Sequence, residues 1–227
     1  MSDNAATPIR IWDAPVRVFH WLLVLSFAGA YLSADSEVWR LLHVTLGYTL
    51  GGLLLFRLVW GVLGTRYARF GNFVRGPRAV LRYLQSLRSG QPEHHLGHNP
   101  AGAVAIVLLL LLGLALTATG YATYNDLGPG WLAELHDVLA NTMLLVVAGH
   151  LVGVAVASWQ HRENLVRAMV TGLKRGSPDA GIGRNRAGLA LLIVLVVLGF
   201  WGLQWRSAPQ AQDYVPEAPA VPVQKTP

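Results

Sequence analysis

Residues 135–153 read LHDVLANTMLLVVAGHLVG, an apolar run that carries one histidine near each end, His136 and His150. As an α-helix the run is long enough to cross the roughly 30 Å hydrocarbon core of a bilayer. The two histidines are 14 positions apart. Because that many steps of about 100° fall about 40° short of four turns, both imidazoles share one helix face, about 21 Å apart along the axis. The stretch therefore predicts a membrane helix with two titratable rings on one face at two depths.

The composition of the chain agrees with a membrane location. Its 227 residues are 53% hydrophobic and 13% charged, whereas soluble domains carry about 25% charged residues. The net charge of +6 does not indicate nucleic acid, because the basic residues lie in short loops between apolar runs. The chain has no cysteine, which excludes Cys-ligated clusters, thiolate zinc sites and thioether-attached haem. Any metal cofactor must then be held by His, Met or carboxylate.

Five apolar runs are long enough to span a bilayer, and they predict an all-α membrane protein. The runs cover residues 18–34, 42–63, 101–122, 135–159 and 187–205. Asn99 and Pro100 are residue types that suit the N-cap and the first turn of the third helix. A soluble helical bundle is the alternative architecture, and runs so poor in charge disfavour it.

The charges of the loops predict the orientation. Fourteen of the 18 basic residues lie in the N-terminal segment and in the loops after the second and fourth runs. The loops after the first and third runs are short and mostly acidic. We call these two ends of the bundle the basic side and the acidic side. The positive-inside rule predicts that the basic side and the N-terminus are cytoplasmic, and that the acidic side and the C-terminus lie on the outer side of the membrane.

Four histidines sort into two levels under this topology. His43 and His136 lie near the acidic side, and His20 and His150 lie nearer the basic side. Two stacked b-type haems need this arrangement, since each iron takes one imidazole from either face of the porphyrin and the ligands come from facing helices. Glycines near these histidines would let a flat macrocycle or a neighbouring helix approach closely; they are Gly47, Gly51, Gly149 and Gly153.

Other interpretations of the histidines are weaker. A lone membrane histidine is often an interhelical hydrogen-bonding residue, but four that match in depth are harder to explain in that way. A haem-free transporter with a proton relay, or a haem-free anchor, is the competing function. A transporter would more naturally carry Asp or Glu deep in the runs, where this sequence has none.

Two arginines near the basic side have two interpretations each. Arg57 lies 14 residues after His43, and Arg17 lies one turn before His20. Each could pair with a haem propionate, and Arg57 also with a quinone, because a membrane-embedded arginine needs such a partner. Each could instead extend to the lipid headgroups. The remaining histidines are expected in a solvated loop or at the membrane interface; they are His94, His95, His98 and His161.

Six segments between residues 10 and 172 read RIWDAPVRVFHW, LLHVTLGYTLGGLLLFRLVWG, GTRYARFGNFVRGPRAVLRYL, GHNPAGA, LHDVLANTMLLVVAGHLVGV and HRENLVRAMVTG. Together they resemble the bacterial cytochrome b561 family, which includes the b-type cytochrome subunit of nickel–iron hydrogenases. The resemblance implies a four-helix bundle that holds two haem b groups, with the four histidines as axial ligands. It also implies a bacterial inner-membrane location, with a periplasmic outer side, and electron transfer between a periplasmic redox partner and the quinone pool. The fifth helix and the Pro-rich tail go beyond the minimal family core.

We therefore predict a four-helix transmembrane diheme bundle with a fifth C-terminal membrane helix. Residues 1–172 would form the cytochrome b561-like domain, 173–206 a cytoplasmic loop and the fifth helix, and 207–227 a disordered periplasmic tail. The expected function is electron transfer between a hydrogenase or c-type cytochrome and quinone. A stand-alone oxidoreductase of the same fold that oxidises superoxide or another small reductant is the alternative. The identity of the partner, enzymatic activity of the chain by itself and a homo-oligomeric state stay open.

Overall fold

A computed structural model describes residues 7–91 and 93–207. The described chain is predominantly helical, with five long helices, three shorter ones and one pair of short strands. In chain order the elements are β1 (Thr7–Arg10), α1 (Ala14–Leu32), α2 (Arg40–Leu63), α3 (Phe70–Phe73), α4 (Pro77–Arg88), α5 (Pro100–Tyr124), α6 (Trp131–Gln160), α7 (Leu165–Thr171), β2 (Leu173–Gly176) and α8 (Ala187–Arg206). Except for Ser207, the predicted tail lies outside the described residues.

The five long helices are the five predicted membrane spans. Each is long and apolar enough to cross a membrane, so the predicted fold class is confirmed. Two of them, α1 and α6, begin four residues earlier than their apolar runs suggested. The first begins at Ala14, because Asp13 Oδ1 accepts a hydrogen bond of 2.9 Å from Val16 N and so caps α1. The predicted cap of α5 is present, since Asn99 Oδ1 accepts a 2.7 Å hydrogen bond from Gly102 N.

The long helices pack in the order α8, α1, α2, α5, α6. An apolar core made by α1, α2, α5 and α6 contains Phe27, Leu50, Leu54, Leu110, Leu116 and Met143. A second apolar cluster lies where α8 packs on α1 and α2, and α8 contributes Ile193 and Val197 to it. Helix α6 packs mainly along α5, and it is linked to α1 by a 2.8 Å hydrogen bond from the Tyr31 hydroxyl to Asn141 Oδ1.

A small antiparallel sheet closes the basic side. Strand β1 pairs with β2 from Thr7↔Gly176 to Arg10↔Leu173. The sequence pattern predicts no strand here, because four-residue strands are too short to show a period of two. Directly after β1, the backbone N–H groups of Ile11 and Trp12 both donate to Gly172 O. The N-terminal segment is thereby hydrogen-bonded to residues on both sides of the domain boundary predicted at residue 172, and that boundary stays a prediction.

Asp13 joins the start of α1 to the end of α2. Its side chain is fully buried. Besides capping α1, its Oδ2 accepts hydrogen bonds from the Trp60 indole N–H at 3.1 Å and from the Thr65 hydroxyl at 2.6 Å. A buried carboxylate is costly unless it is hydrogen-bonded, and three donors meet that requirement. Asp13 therefore sets the position of the first turn of α1, one and a half turns before His20.

Candidate functional site

His43 and His136 lie opposite each other at the acidic side. His43 is in the first turn of α2, and His136 is in the second turn of α6, one turn further into the helix than its apolar run suggested. The centroids of the two rings are 6.2 Å apart and the ring planes are inclined by 75°. The structure therefore brings together the two acidic-side histidines that the depth pattern paired.

Backbone carbonyls orient both of these rings. His43 Nδ1 lies 2.9 Å from Ala30 O, and His136 Nδ1 lies 3.1 Å from Leu116 O. Because a carbonyl oxygen can only accept, each Nδ1 carries the proton and donates. Each Nε2 then keeps an unprotonated lone pair, which is the form of imidazole that binds a metal.

Gly120 makes the position of His136 possible. A β-carbon at residue 120 of α5 would lie 2.8 Å from His136 Cε1, which is closer than nonbonded carbon atoms approach. The Thr119 hydroxyl, one residue earlier, is 3.2 Å from His136 Nδ1. The sequence pattern missed both residues, because nothing in the spacing of α5 marks the point at which α6 lies closest to it.

Three of the four glycines singled out from the sequence have open space beside them. A β-carbon added at Gly47, Gly149 or Gly153 would meet no atom within 4 Å. Gly51 differs, because its β-carbon would lie 2.5 Å from Thr117 Cγ2 on α5. Gly51 therefore serves helix packing between α2 and α5, while the other three leave surface beside the histidines uncovered by side chains.

His20 on α1 and His150 on α6 are the two histidines that the depth pattern pairs at the basic side. His20 is the seventh residue of α1, and His150 is the twentieth of α6. His20 packs edge-on against Trp21 with ring centroids 5.1 Å apart, and its Nδ1 is buried without a hydrogen-bond partner. Within residues 7–91 and 93–207, neither of these two rings is hydrogen-bonded to a backbone carbonyl as the acidic-side rings are.

Arg57 is buried beneath α3. Arg57 is only 4% exposed. Its guanidinium carbon lies 4.7 Å from the centroid of the Phe70 ring and 5.9 Å from that of the Phe73 ring. One terminal guanidinium nitrogen is buried without a hydrogen-bond partner. The alternative in which Arg57 extends to the lipid headgroups is therefore wrong: the two phenylalanines cover the guanidinium within the protein.

Arg17 has partners on the basic side. Its Nη1 donates a 2.6 Å hydrogen bond to Val170 O at the end of α7, and its Nη2 lies 3.5 Å from Asn185 Oδ1. These contacts tie α1 to α7 and to the segment before α8. Its Nε is buried without a partner, and a role in binding a propionate stays a prediction.

The loop before α5 is only partly the solvated segment expected from its sequence, since His94 is exposed but His95 and His98 pack against aromatic rings. The His98 ring is packed between Trp12 and Phe73, with ring centroids 4.5 Å from each. Burial, followed by the charge of Arg57, lowers the pKa of His98 to about 3. His95 is half-buried against Tyr83, and burial also lowers its pKa. A polar sequence such as EHHLGHN reads as solvated because the rings that cover it come from distant segments.

Among the described residues, no three His, Asp or Glu side chains converge as a metal cage. Two histidines of the membrane helices, His43 and His136, instead face each other. A metal ion bound between two imidazole nitrogens at about 2 Å each would hold the ring centres about 6 Å apart. The acidic-side pair, at 6.2 Å, fits that requirement.

Comparison with known families agrees with this arrangement. A family model described as prokaryotic cytochrome b561 matches residues 11–172. The chain belongs to the prokaryotic cytochrome b561 family. It is therefore a multispan membrane b-type cytochrome, and the family implies haem b as its cofactor.

The curated relatives are cytochrome subunits. The chain is 28% identical over 151 residues to the probable Ni/Fe-hydrogenase 1 B-type cytochrome subunit of Escherichia coli strain K12, covering 55% of this chain and 63% of that protein. It is 28% identical over 156 residues to the probable Ni/Fe-hydrogenase B-type cytochrome subunit of Azotobacter chroococcum mcd 1, covering 56% and 65%. The Rhodobacter capsulatus counterpart is 24% identical over 152 residues, covering 55% and 58%. The chain thus spans less than two thirds of the length of these relatives. No solved structure matches it significantly.

Proposed function

We propose that the chain binds two haem b groups, one at each histidine level. His43 and His136 would be the axial ligands at the acidic side, and His20 and His150 those at the basic side. The observation that carries this proposal is the facing of His43 and His136 across the bundle at 6.2 Å with both Nδ1 atoms turned to carbonyls. The continuous helix α6, from Trp131 to Gln160, carries one member of each pair.

The bound haems would supply one-electron redox chemistry at two depths of the membrane. The chain itself contributes orientation and electrostatics. Hydrogen bonds from Nδ1 to the carbonyls of Ala30 and Leu116 fix the rings and raise their basicity as ligands. Arg57 places a buried positive charge on the basic side, where it would favour an acidic group.

A hydrogenase or a c-type cytochrome is the proposed partner at the acidic side. The support for a hydrogenase is that the curated relatives are named as probable B-type cytochrome subunits of Ni/Fe-hydrogenases. The charge asymmetry of the loops supports a periplasmic acidic side and a cytoplasmic N-terminus. Purification in mild detergent tests the partner: a co-purifying redox protein is expected, whereas activity of the isolated chain on superoxide would favour the stand-alone enzyme.

Quinone is the proposed partner at the basic side. A groove of about 530 Å³ lies at that end of α6, beside α7, and begins at Leu151, the residue after His150. Apolar side chains such as Val154 and Trp159 line it together with polar groups such as Ser158 and Arg162. An apolar wall with a few polar groups suits a quinone ring and its carbonyl oxygens.

The quinone site can be tested by filling the groove. Ser158→Phe is expected to slow reoxidation of the reduced protein by a soluble quinone analogue while the haem count stays at two. Val196→Phe, on the exposed face of α8, is the control and should leave the rate unchanged. Equal rates in Ser158→Phe and wild type would exclude this groove.

The haem proposal has a direct test. A dithionite-reduced minus oxidised spectrum of the purified chain, combined with a haem assay, should give two b-type haems per chain. One haem would contradict the paired scheme. A purified, folded chain without a Soret band would contradict both redox functions and leave the haem-free transporter or anchor.

A further inference from the structure

His98 occupies an aromatic slot on the basic side. Its ring lies 4.5 Å from the ring centroids of Trp12, which precedes α1, and of Phe73, at the end of α3. Both rings are tilted by 49° relative to the imidazole. The slot fixes the ring by packing alone, because no hydrogen bond to either imidazole nitrogen is present among the described residues, and Nδ1 is buried.

Arg57 lies beside the same slot. Phe73, which packs on His98, also lies 5.9 Å from the guanidinium carbon of Arg57. Trp12, two residues before α1, and Arg57, in the last two turns of α2, therefore place His98 at the basic side, the end of the bundle nearer His20 and His150.

The polar and charged groups near this slot differ in whether they already have hydrogen-bond or ion-pair partners. Lys174 pairs with Glu163 at 2.9 Å, and Asp13 accepts three hydrogen bonds from other groups. Arg57 and His98, in contrast, each hold a buried nitrogen that has no hydrogen-bond partner in the described part of the chain. Arg57 is only 4% exposed, and leaving a buried charge-bearing donor unpaired is costly.

We propose that Arg57 and His98 form a two-point clamp for the carboxylate edge, the propionates, of the cofactor at the basic-side pair. Arg57 supplies the positive charge, and His98, as a positioning residue, donates one N–H from a ring that the aromatic slot prevents from turning. The inference rests on the proposed function, because it assumes a haem between His20 and His150.

The chemistry favours a donor of this kind. The pKa of His98 is lowered by burial, so the ring is neutral at physiological pH and offers one N–H without adding a second positive charge beside Arg57. A carboxylate accepts several hydrogen bonds at once. Removing one donor would leave its negative charge less compensated and would stabilise the oxidised haem, which lowers the midpoint potential.

The test compares two substitutions of His98. His98→Phe keeps an aromatic ring in the slot but has no donor, whereas His98→Gln keeps a donor. His98→Phe should move the midpoint potential of the basic-side haem to more negative values, by an amount several-fold larger than any change in the acidic-side haem. His98→Gln should restore most of the wild-type potential. His94→Phe, in the exposed part of the same loop, is the matched control and should change neither.

Each outcome decides the inference separately from the proposed function. Two haems in the wild type, with an unchanged basic-side potential in His98→Phe, would overturn the clamp but keep the diheme scheme. Loss of the basic-side haem in both His98 variants would make His98 a ligand and would also overturn it. If His98→Phe fails to accumulate, His98→Met, with a flexible apolar side chain, should show the same negative shift.

Discussion

The rings of His43 and His136 face each other with centroids 6.2 Å apart, and each ring donates through Nδ1 to a backbone carbonyl of a helix other than its own. His43 on α2 is thereby hydrogen-bonded to α1, and His136 on α6 to α5. The four helices of the bundle all contribute to one pair of rings. A substitution that moves any one of these four helices should therefore change the geometry of the His43/His136 pair.

Separate substitution of the two histidines of α6 tests the two-level scheme. His136→Ala should remove the acidic-side haem, and His150→Ala the basic-side haem, because each haem loses one of its two ligands. The reduced-minus-oxidised spectra of the two variants should differ, and each should retain about one haem per chain.

His161→Ala is the control for this pair. His161 lies just after α6, and its ring packs against His94 with centroids 5.6 Å apart. The variant should keep two haems. If His136→Ala and His150→Ala lost the same haem, the assignment of one level to each histidine would be wrong.

Gly120→Ala should disturb the acidic-side haem selectively. The added β-carbon would lie 2.8 Å from His136 Cε1, so either the ring or α5 must move. Overpacking of this kind costs about 1–3 kcal/mol. We expect a lower occupancy or a shifted spectrum of the acidic-side haem, with the basic-side haem unchanged, in the haem assay and low-temperature spectrum.

Gly199→Ala provides the comparison, because a β-carbon there would meet no atom within 4 Å. Like Gly120→Ala, this variant replaces a glycine of a membrane helix by alanine, but it should leave both haems intact. An equal loss of both haems in Gly120→Ala would indicate general misfolding and would contradict the local explanation.

Asp13→Ala should destabilise the whole basic side. The change removes the cap of α1 and leaves the Trp60 indole N–H and the Thr65 hydroxyl without their acceptor. A buried donor without a partner costs about 1–3 kcal/mol. The melting temperature in detergent, followed by tryptophan fluorescence, should fall clearly, whereas Asp179→Ala at an exposed position should change it little. A melting temperature equal to that of the wild type would show that Asp13 does not hold α1 to α2.

The sequence predicts the helices and the approach of His43 to His136 well, for a physical reason, whereas the pairing of His20 with His150 stays a prediction. Spanning a bilayer requires long apolar runs, and the helical period assigns residues to one face. Both features therefore depend only on local sequence. The five spans are confirmed, and the facing of His43 and His136 agrees with the depth argument. The family resemblance is confirmed by the match over residues 11–172.

The features that the sequence did not predict all depend on contacts between distant segments. His98 reads as a loop residue, because the rings of Trp12 and Phe73 that enclose it belong to other elements. Gly120 reads as one of several helix glycines until the approach of His136 is known. The headgroup alternative for Arg57 is likewise excluded by a contact between distant segments. Helix α3 covers the guanidinium, and its Phe70 ring lies against Gly61 of α2.

Arg57→Met tests the electrostatic role of the buried arginine. Methionine fills much of the same space beneath Phe70 without a charge. At an effective dielectric constant near 20, a unit charge acting over about 6–8 Å is worth about 2–3 kcal/mol, on the order of 100 mV for one electron. We expect a negative shift of this order in the midpoint potential of the basic-side haem, measured by a spectroscopic redox titration.

Arg69→Met separates this local effect from a change in net charge. Arg69 is exposed on the same basic side, so its charge is screened by solvent and salt. It should shift the basic-side potential far less than Arg57→Met, and the difference should persist at high ionic strength, because buried charges are screened weakly. Similar shifts in the two variants would mean that Arg57 acts through the overall field of the basic side and not through a contact with the cofactor. If the buried guanidinium of Arg57 acts on the cofactor directly, the shift in midpoint potential should be selective for Arg57→Met and should persist in high salt.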